Sequence, residues 1–456
     1  MRKARLLLAV ACLPPAGAAA QSTTVFNRTG SGARAAGMAN AFIAVSDDGT
    51  AASWNPAGLA QLRKPELSVV STTAGQANRA EAFLARDELS IFSPLSASYH
   101  TTYLDFASLA VPVTLAGKQV TFQGAWRRIY TFDFRDNLVI EREPLTPDGP
   151  PRTRIEANAD TVGGVDLLSL AGAVRLTSRL TLGGSVNFWR GDWTAAQSIS
   201  ASSPSGSELP DFRTTVDTNR IRGHNLSLGL LLTYPRWSVG LVHQGPMPGR
   251  YSGTVDAIDS ASPDREVASL DADLRFPRAV GLGAAWRPAP LWTVAFDLTW
   301  DDWTSGELDL GLEGVEPVSI FDGQPRDRTG TRNTLSANAG AEHLFRGEGF
   351  LVPLRFGVAW EPQGQRNPYV RDPVNFVMLA AGTGYNTNSL KFDAAFQYRW
   401  ARFQDGDDFS VGPSDPFFPQ AVGERNVREW RVKLSVILRI TDTEKLRGVF
   451  GRIFGG

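Results

Sequence analysis

The sequence has a single cysteine and four histidines in 456 residues. Cys12 falls within the first twenty residues, so the rest can build neither a disulfide framework nor a thiolate metal site. His100, His224, His243 and His343 stand far apart, and none forms a pair at ligand spacing. There is no Gly-x-Ser-x-Gly elbow, HExxH pair or phosphate loop. A lipid hydrolase would need a serine with a base placed beside it, and the sequence alone places neither His100 nor His224 there. After the first twenty residues no run of eighteen apolar residues occurs. That excludes a bundle of membrane-spanning helices, but not membrane-spanning strands, whose alternation averages out in a hydropathy scan.

The first twenty residues have the layout of an export signal. Arg2, Lys3 and Arg5 precede an apolar run from Leu6 to Leu13, and Ala18-Ala19-Ala20 forms a small-residue cleavage site. The apolar run is too short to cross a bilayer as a helix. A buried N-terminal helix would leave the three basic residues unexplained. A lipid anchor at Cys12 would want leucine where Ala9 stands. Cutting after Ala20 removes three of the 46 basic residues and no acidic one, leaving 43 against 47 Asp+Glu. The mature chain is then mildly acidic, and no nucleic-acid partner is implied. No cofactor is implied either.

What the sequence has in abundance is alternation. Trp430, Val432, Leu434, Val436, Leu438 and Ile440 fall on one face of an extended chain, opposite Arg431, Lys433, Ser435, Ile437 and Arg439. Trp292, Val294, Phe296, Leu298 and Trp300 oppose Thr293, Ala295, Asp297, Thr299 and Asp301. Leu390, Phe392, Ala394, Phe396, Tyr398 and Trp400 oppose Lys391, Asp393, Gln397 and Arg399. Each run is about ten residues, the length a tilted strand needs to cross hydrocarbon, and the apolar faces often end in Trp or Tyr. Weaker runs at 66–74, 95–112, 119–134, 164–176, 179–191, 221–233, 236–247, 278–286, 331–343, 352–361 and 374–385 bring the expected strands to fourteen.

Loops rich in Pro, Gly, Ser and Asp lie near 143–153, 198–210, 257–265 and 361–373, and no linker divides the chain. A soluble β-sandwich or propeller would also alternate. The strand length, the full charges on the polar faces, the export signal and the lack of a short repeat favour an all-β transmembrane antiparallel barrel.

Residues 21–64 do not alternate. Gly30 to Phe42 is rich in small residues, followed by Asp47-Asp48 and by Trp54-Asn55-Pro56-Ala57-Gly58-Leu59. Small residues permit close backbone packing, and Asn before Pro turns the chain. A compact plug and an ordinary surface loop fit this composition equally.

The segment resembles the hatch of the long-chain fatty acid transporter family of outer membranes, which includes aromatic-hydrocarbon uptake channels. The Asn55-Pro56-Ala57 triplet is similar to the family's hatch motif. Further similarity lies in Phe276-Pro277, Gly281-Leu282-Gly283 and Trp286 followed by Trp292 through Asp297 to Trp300-Asp301-Asp302-Trp303. It continues in Pro353 to Trp360 and in Ala381 to Tyr385 through Phe392 to Tyr398, so it covers most of the chain after residue 20.

The resemblance implies a monomeric fourteen-stranded barrel in the outer membrane of a Gram-negative-type bacterium. It divides the chain into a signal peptide (1–20), an N-terminal hatch inside the lumen (21–64), a barrel (65–441) and a periplasmic tail (442–456). It implies passive uptake of fatty acids or hydrocarbons through an apolar lumen pocket, with hatch movement and a lateral opening as the way out. The expected partners are hydrophobic small molecules, membrane lipid and lipopolysaccharide, and the barrel insertion machinery. The chain departs from the usual aromatic C-terminal residue by ending at Gly456, after a tail of amphipathic character from Lys445 to Phe454.

The candidate site residues lie in the hatch: Phe26, Arg28, Arg34, Phe42, Trp54, Asn55 and Pro56. Arg28 and Arg34 would meet a carboxylate head, or pair with internal acids such as Asp47 if the solute is neutral. Phe26, Phe42 and Trp54 would touch ligand or pack on the wall. Asp47-Asp48 reads as a turn in the plug before a calcium site, and Asp301-Asp302 as a solvated strand end before a catalytic pair. The alternative function is an accessory barrel that transports nothing and docks a secretion or surface partner.

Overall fold

The computed structural model describes residues 29–441, apart from segments at 81–82, 86–89, 93–94, 145–146, 148–151, 203–207, 260–261, 322, 367–371 and 408–420. The expected export signal, Phe26, Arg28 and the tail at 442–456 lie outside the described residues.

Fourteen strands form the wall. They are β1 (Glu66–Ala80), β2 (Leu95–Leu115), β3 (Lys118–Thr131), β4 (Thr153–Arg175), β5 (Leu180–Ser202), β6 (Glu208–Thr233) and β7 (Trp237–Gln244). Then follow β8 (Ala279–Trp286), β9 (Trp292–Asp301), β10 (Thr334–Arg346), β11 (Leu351–Arg366), β12 (Pro373–Asn386), β13 (Leu390–Asp407) and β14 (Ala421–Arg439). Each pairs antiparallel with the next. β14 returns to β1 from Glu66↔Arg439 to Ala80↔Arg425. Closure pairs strand edges around the ring, and hydrocarbon would penalise each unpaired backbone group by several kcal/mol. The fourteen runs expected from alternation match these strands one for one.

The alternation sets the two faces. On β14, Trp430, Leu434, Val436 and Leu438 face outward, while Lys433, Ser435 and Ile437 are buried. On β13, Lys391, Asp393, Gln397 and Arg399 are buried, and Phe392 and Phe396 face outward. Turns of two to five residues join the strands at one end, at 116–117, 176–179, 234–236, 287–291, 347–350 and 387–389. The two-residue turn places Ala116 and Gly117 at positive φ, as a tight hairpin requires. Tyr234 stacks on Trp237 at this end, with the Arg179 guanidinium over its ring. Longer connections gather at the opposite end, which is the extracellular end of a barrel of this kind.

Strand lengths are unequal. β4, β5 and β6 run for 23, 23 and 26 residues, whereas β7, β8 and β9 have 8, 8 and 10. The tall sheet is widened by Met247–Asp259, which pairs with the upper part of β6, and by Ser262–Phe276, which pairs with it in turn. The sequence reading placed only a loop here. These two strands do alternate, with Tyr251, Val255, Leu270 and Leu274 inward, but Arg250 and Asp273 form an exposed ion pair on the other face. That face meets water, so the hydropathy signal of a lipid-facing strand is absent.

The hydrogen-bonded ladder is interrupted between β2 and β3. Their ladder runs from Leu115↔Lys118 only as far as Phe106↔Arg127. Above it the β3–β4 register shifts between Arg128 and Tyr130. Among the described residues, Leu95 to Leu104 pair with β1 and have no ladder on the β3 side, and Phe134–Pro144, which continues β3 along β4, packs against them with Phe134 edge-on to Tyr99 at 4.8 Å.

Phe296 is central on β9 and 46% exposed on the apolar band. The substitution Phe296→Arg is expected to lower folding stability in a lipid bilayer by about 2–4 kcal/mol. Denaturant titration of the liposome-folded protein measures it, and an unchanged midpoint would refute a lipid-facing position.

Candidate functional site

Residues 29–64 fill the lumen near the end with short turns. The only α-helix in this segment, α1 (Ala33–Gly37), is five residues long, and 3₁₀ turns follow at Ala51–Ser53 and Pro56–Gln61. Nearly all of these residues are buried, although few are large. They fit because the wall beneath them is glycine.

Gly183, Gly229, Gly240, Gly283, Gly340, Gly357 and Gly382, on seven different strands, each approach the segment so closely that an added Cβ would strike its atoms. They come partly as cross-strand pairs: Gly183↔Gly229, Gly240↔Gly283 and Gly340↔Gly357. Backbone can pack on backbone only where side chains are missing.

The Asn55-Pro56-Ala57 triplet works at this contact. Asn55 is extended and caps the 3₁₀ turn, its side chain accepting from the Ala57 amide at 3.1 Å, with Pro56 in the first position where no N–H is needed. The Asn55 side-chain amide donates to the Ile43 carbonyl within the segment and to the Leu230 carbonyl of β6, at 3.2 and 3.1 Å. Pro56 and Ala57 lie over Gly183 and Gly229. Asn55 thus binds segment to wall, and Pro56 sets the direction of the chain between them.

Other wall side chains hold the backbone of the segment. Gln397 donates to the Ala36 carbonyl at 3.0 Å and Asn338 to the Ala39 carbonyl at 2.8 Å. These bonds brace the turn in which Ala39 and Asn40 take positive φ, a conformation that is costly for residues other than glycine. Asp297 of β9 accepts the amides of both Phe42 and Ile43, at 2.6 and 2.8 Å.

A buried charge cluster completes the seat. Arg34 donates to Glu342 of β10 at 3.0 and 2.9 Å and also pairs with Asp47. Glu342 accepts from the fully buried Arg355 at 2.7 Å, which bonds Asp393 at 2.8 Å. Burial alone would lower the Arg34 pKa, but Asp47, Glu342 and Asp48 outweigh it and hold the guanidinium well above its ordinary value. Burial pushes the Asp48 carboxyl up; Lys391, Arg34 and the Thr50 hydrogen bonds outweigh it and leave the group below its usual range.

Two adjoining cavities lie above the segment, and Thr29, Ser53 and Gln244 line both. One, open at its mouth, is lined by Phe106, Tyr130, Leu167 and Trp189, with Arg127, Asn187 and Asn225 among the polar groups. It reaches Ala125, Arg127 and Ile129 of β3, beside the break in the β2–β3 ladder. The other, slightly larger and also open, is lined by Trp54, Trp303, Asp297, Asp301, Glu361 and Gln363 among others. An apolar cluster walls the extracellular side. In it Phe276 touches Tyr130, Trp189 and Trp303, and Trp303 touches Phe321.

The candidate residues fall into separate roles. Phe42 is fully buried, meets Trp54 edge-on at 6.0 Å and lines neither cavity. Trp54 lines the larger cavity and donates to the Ser31 carbonyl at 2.8 Å. Arg34 is engaged by three carboxylates, including Asp47 and Asp48. Asn55 and Pro56 are docking residues.

Asp301-Asp302, expected as a solvated strand end, differs in the structure. Asp301 is the last residue of β9, is buried and lines the larger cavity. Only Asp302 turns outward, to Arg278 at 3.1 Å. The cause is strand parity, because Asp301 shares the inward face with Asp297 and Thr299. The wall residues Tyr130, Leu167, Trp189, Asp297 and Asp301 were missed as site residues. For the two acids and Thr299 the inward parity of β9 was the available signal.

No family model and no curated protein matches the sequence. Solved structures do match. A Pseudomonas aeruginosa FadL homologue is 15% identical, covers 91% of this chain and 99% of its own, and superposes with a TM-score of 0.64. The monoaromatic hydrocarbon channel CymD is 14% identical over 91% of this chain and 99% of its own, at 0.55. The Ralstonia pickettii toluene transporter TbuX is 13% identical over 91% and 100%, at 0.53. At these identities the likeness is one of fold.

Two outcomes follow from the seat. A Cβ at Gly240 would stand 2.7 Å from the Ile43 carbonyl oxygen and 2.9 Å from the Asn55 amide nitrogen. Gly240→Val should displace the segment and raise ion conductance in planar bilayers; unchanged conductance would count against a steric seat. Arg34→Ala strips Glu342 and Asp47 of a partner and should cost about 3–5 kcal/mol of stability. Denaturant unfolding reads the loss, and faster proteolysis within residues 29–64 locates it.

Proposed function

We propose that this protein is an outer-membrane channel for passive uptake of hydrophobic compounds, long-chain fatty acids or hydrocarbons. The observation that carries the reading is the smaller cavity. It places Phe106, Tyr130, Leu167 and Trp189 directly above a plugged lumen and beside the break in the β2–β3 ladder. A water-filled pore offers an apolar solute no affinity. An aromatic pocket does, at roughly 0.8 kcal/mol for each buried CH₂, so capture needs no covalent step and no nucleotide. The matched hydrocarbon channels support the reading by their shared fold.

In this reading the solute enters past the Phe276–Trp303 cluster and settles against Tyr130, Leu167 and Trp189. It leaves when the N-terminal segment shifts, or sideways where β2 and β3 separate. The barrel lies as a monomer in the outer membrane of a Gram-negative-type bacterium, in contact with lipid and lipopolysaccharide after delivery by the insertion machinery. The lumen is not apolar throughout. At the level of the plug it is charged and hydrogen-bonded, so apolar contact comes from Tyr130, Leu167 and Trp189 in the space above, where Arg127, Asn187 and Asn225 also line the cavity.

The first test is mass spectrometry of small molecules that co-purify with the protein, against a detergent-only control. A stoichiometric apolar ligand is expected. Its absence after exchange into a detergent with no fatty chain would favour a barrel that docks a partner. Leu167→Asn should weaken ligand binding by about tenfold, the effect of losing one buried apolar side chain. An unchanged affinity would move the site elsewhere.

A further inference from the structure

The outer face of the tall sheet carries an unbalanced charge cluster at the extracellular margin of its apolar band. On β5, Leu182, Val186 and Phe188 face outward, and the next outward positions away from the short turns are Arg190 and Asp192. On β6, Leu230, Leu228 and Leu226 face outward, followed by His224, Arg222 and Arg220. The registers set Arg190 opposite Arg222, and Arg222 opposite Arg250 of the strand at 247–259. Three arginines thus stand side by side, and like charges directly opposite each other on a sheet are destabilising.

The acids nearby do not balance them. Asp192 accepts from Arg222 at 3.0 and 3.1 Å, from Arg220 at 3.2 Å and from Arg190 at 3.4 Å. Arg250 turns to Asp273 at 3.7 Å, and Asp166, opposite Arg190, is held by Arg128 at 2.8 Å. Asp271 lies beyond Ser252, two strands away from Arg220. Arg190, Arg220 and Arg222 therefore share one carboxylate. Arg190 and Arg220 stay 74% and 62% exposed. Other exposed arginines meet an acid each, as Arg135 meets Asp160 and Arg278 meets Asp302.

Resting on the outer-membrane reading above, we infer that Arg190, Arg220 and Arg222 form a phosphate-binding site on the outside of the wall, and that its occupant is the phosphorylated glycolipid of the outer leaflet, the lipid A part of lipopolysaccharide. A phosphate group offers the guanidinium forks several acceptor oxygens and supplies the missing negative charge. The surface just below the cluster chooses a lipid over a free anion. Leu168 pairs across to Phe188, and Val186 to Leu226, all of them exposed, so acyl chains attached to the phosphorylated head would lie on a continuous apolar strip. The cluster faces away from the lumen, so it is separate from the solute path.

The test measures binding to the whole protein in a detergent with a neutral head group, read by native mass spectrometry. The probes are diphosphorylated lipid A and the same lipid without its phosphates. The phosphorylated form should bind at least about tenfold tighter, as charge-assisted hydrogen bonds imply. Arg190→Gln combined with Arg220→Gln should remove most of that preference, whereas Arg278→Gln should leave it unchanged. Equal binding of the two lipids overturns the inference, as does a preference that survives the double substitution. Inorganic pyrophosphate bound as tightly as lipid A overturns the lipid assignment. Sedimentation of cell membranes separates this failure from that of the underlying reading. Protein recovered with the outer membrane but showing no phosphate preference overturns the site alone, and protein recovered elsewhere overturns both.

Discussion

The rest of the structure depends on a steric constraint: residues 29–64 rest with their backbone against wall positions that carry no side chain. Seven glycines supply those positions, and three cross-strand pairs of them put two bare strands side by side. A fourteen-stranded barrel left to itself would enclose an aqueous lumen. Here the plug comes near enough for Asn55 to reach Leu230, for Gln397 to reach Ala36 and for Asp297 to take two adjacent amides. A methyl on any of these glycines would push the segment off the wall there and lengthen the bonds made at that strand. The polar contacts therefore work because the glycines let them form.

The charged residues on the inner faces take their meaning from that seat. Glu342, Arg355 and Asp393 lie on β10, β11 and β13, and Arg34 extends the chain of charges into the plug. Each group is neutralised by a neighbour from a different element, so removing one strands the others. Above the plug the side chains change character. The long strands β4 to β6, the strands at 247–276 and the segment around Trp303 bring aromatic rings together over two adjoining cavities, one with Tyr130, Leu167 and Trp189 beside Arg127 and several Ser and Asn side chains, the other with Asp297, Asp301 and Glu361.

Much of the barrel was legible in the sequence, and the reason is local. A strand with lipid on one side and lumen on the other must alternate, so β9, β13 and β14 declare both faces within ten residues. The strands at 247–276 escaped notice because both their faces depart from that rule, one being packed inward and the other wetted by Arg250 and Asp273. The run of small residues fitted a plug and a surface loop equally, and it was the resemblance carried in part by the Asn55-Pro56-Ala57 triplet that pointed to a plug; its partners were not legible. Arg34 meets a residue 308 positions away and Ala33 one 402 away, and no spacing rule spans such distances. The cavities come from side chains on many strands and from loops that fold over them. Parity told which face Asp297 and Asp301 occupy, and only the closed structure tells that they share a chamber.

Those long separations carry a consequence for the order in which the molecule can be built. The amide of Ala33 donates to Ser435 of β14, and Ser31 reaches Asp105 of β2, which also takes Lys433 of β14. The N-terminal segment therefore lies across the seam where the last strand returns to the first. The earliest stretch of the chain has no complete berth until the final strand is in place. Docking is then a late event in assembly, and a half-made barrel remains unplugged.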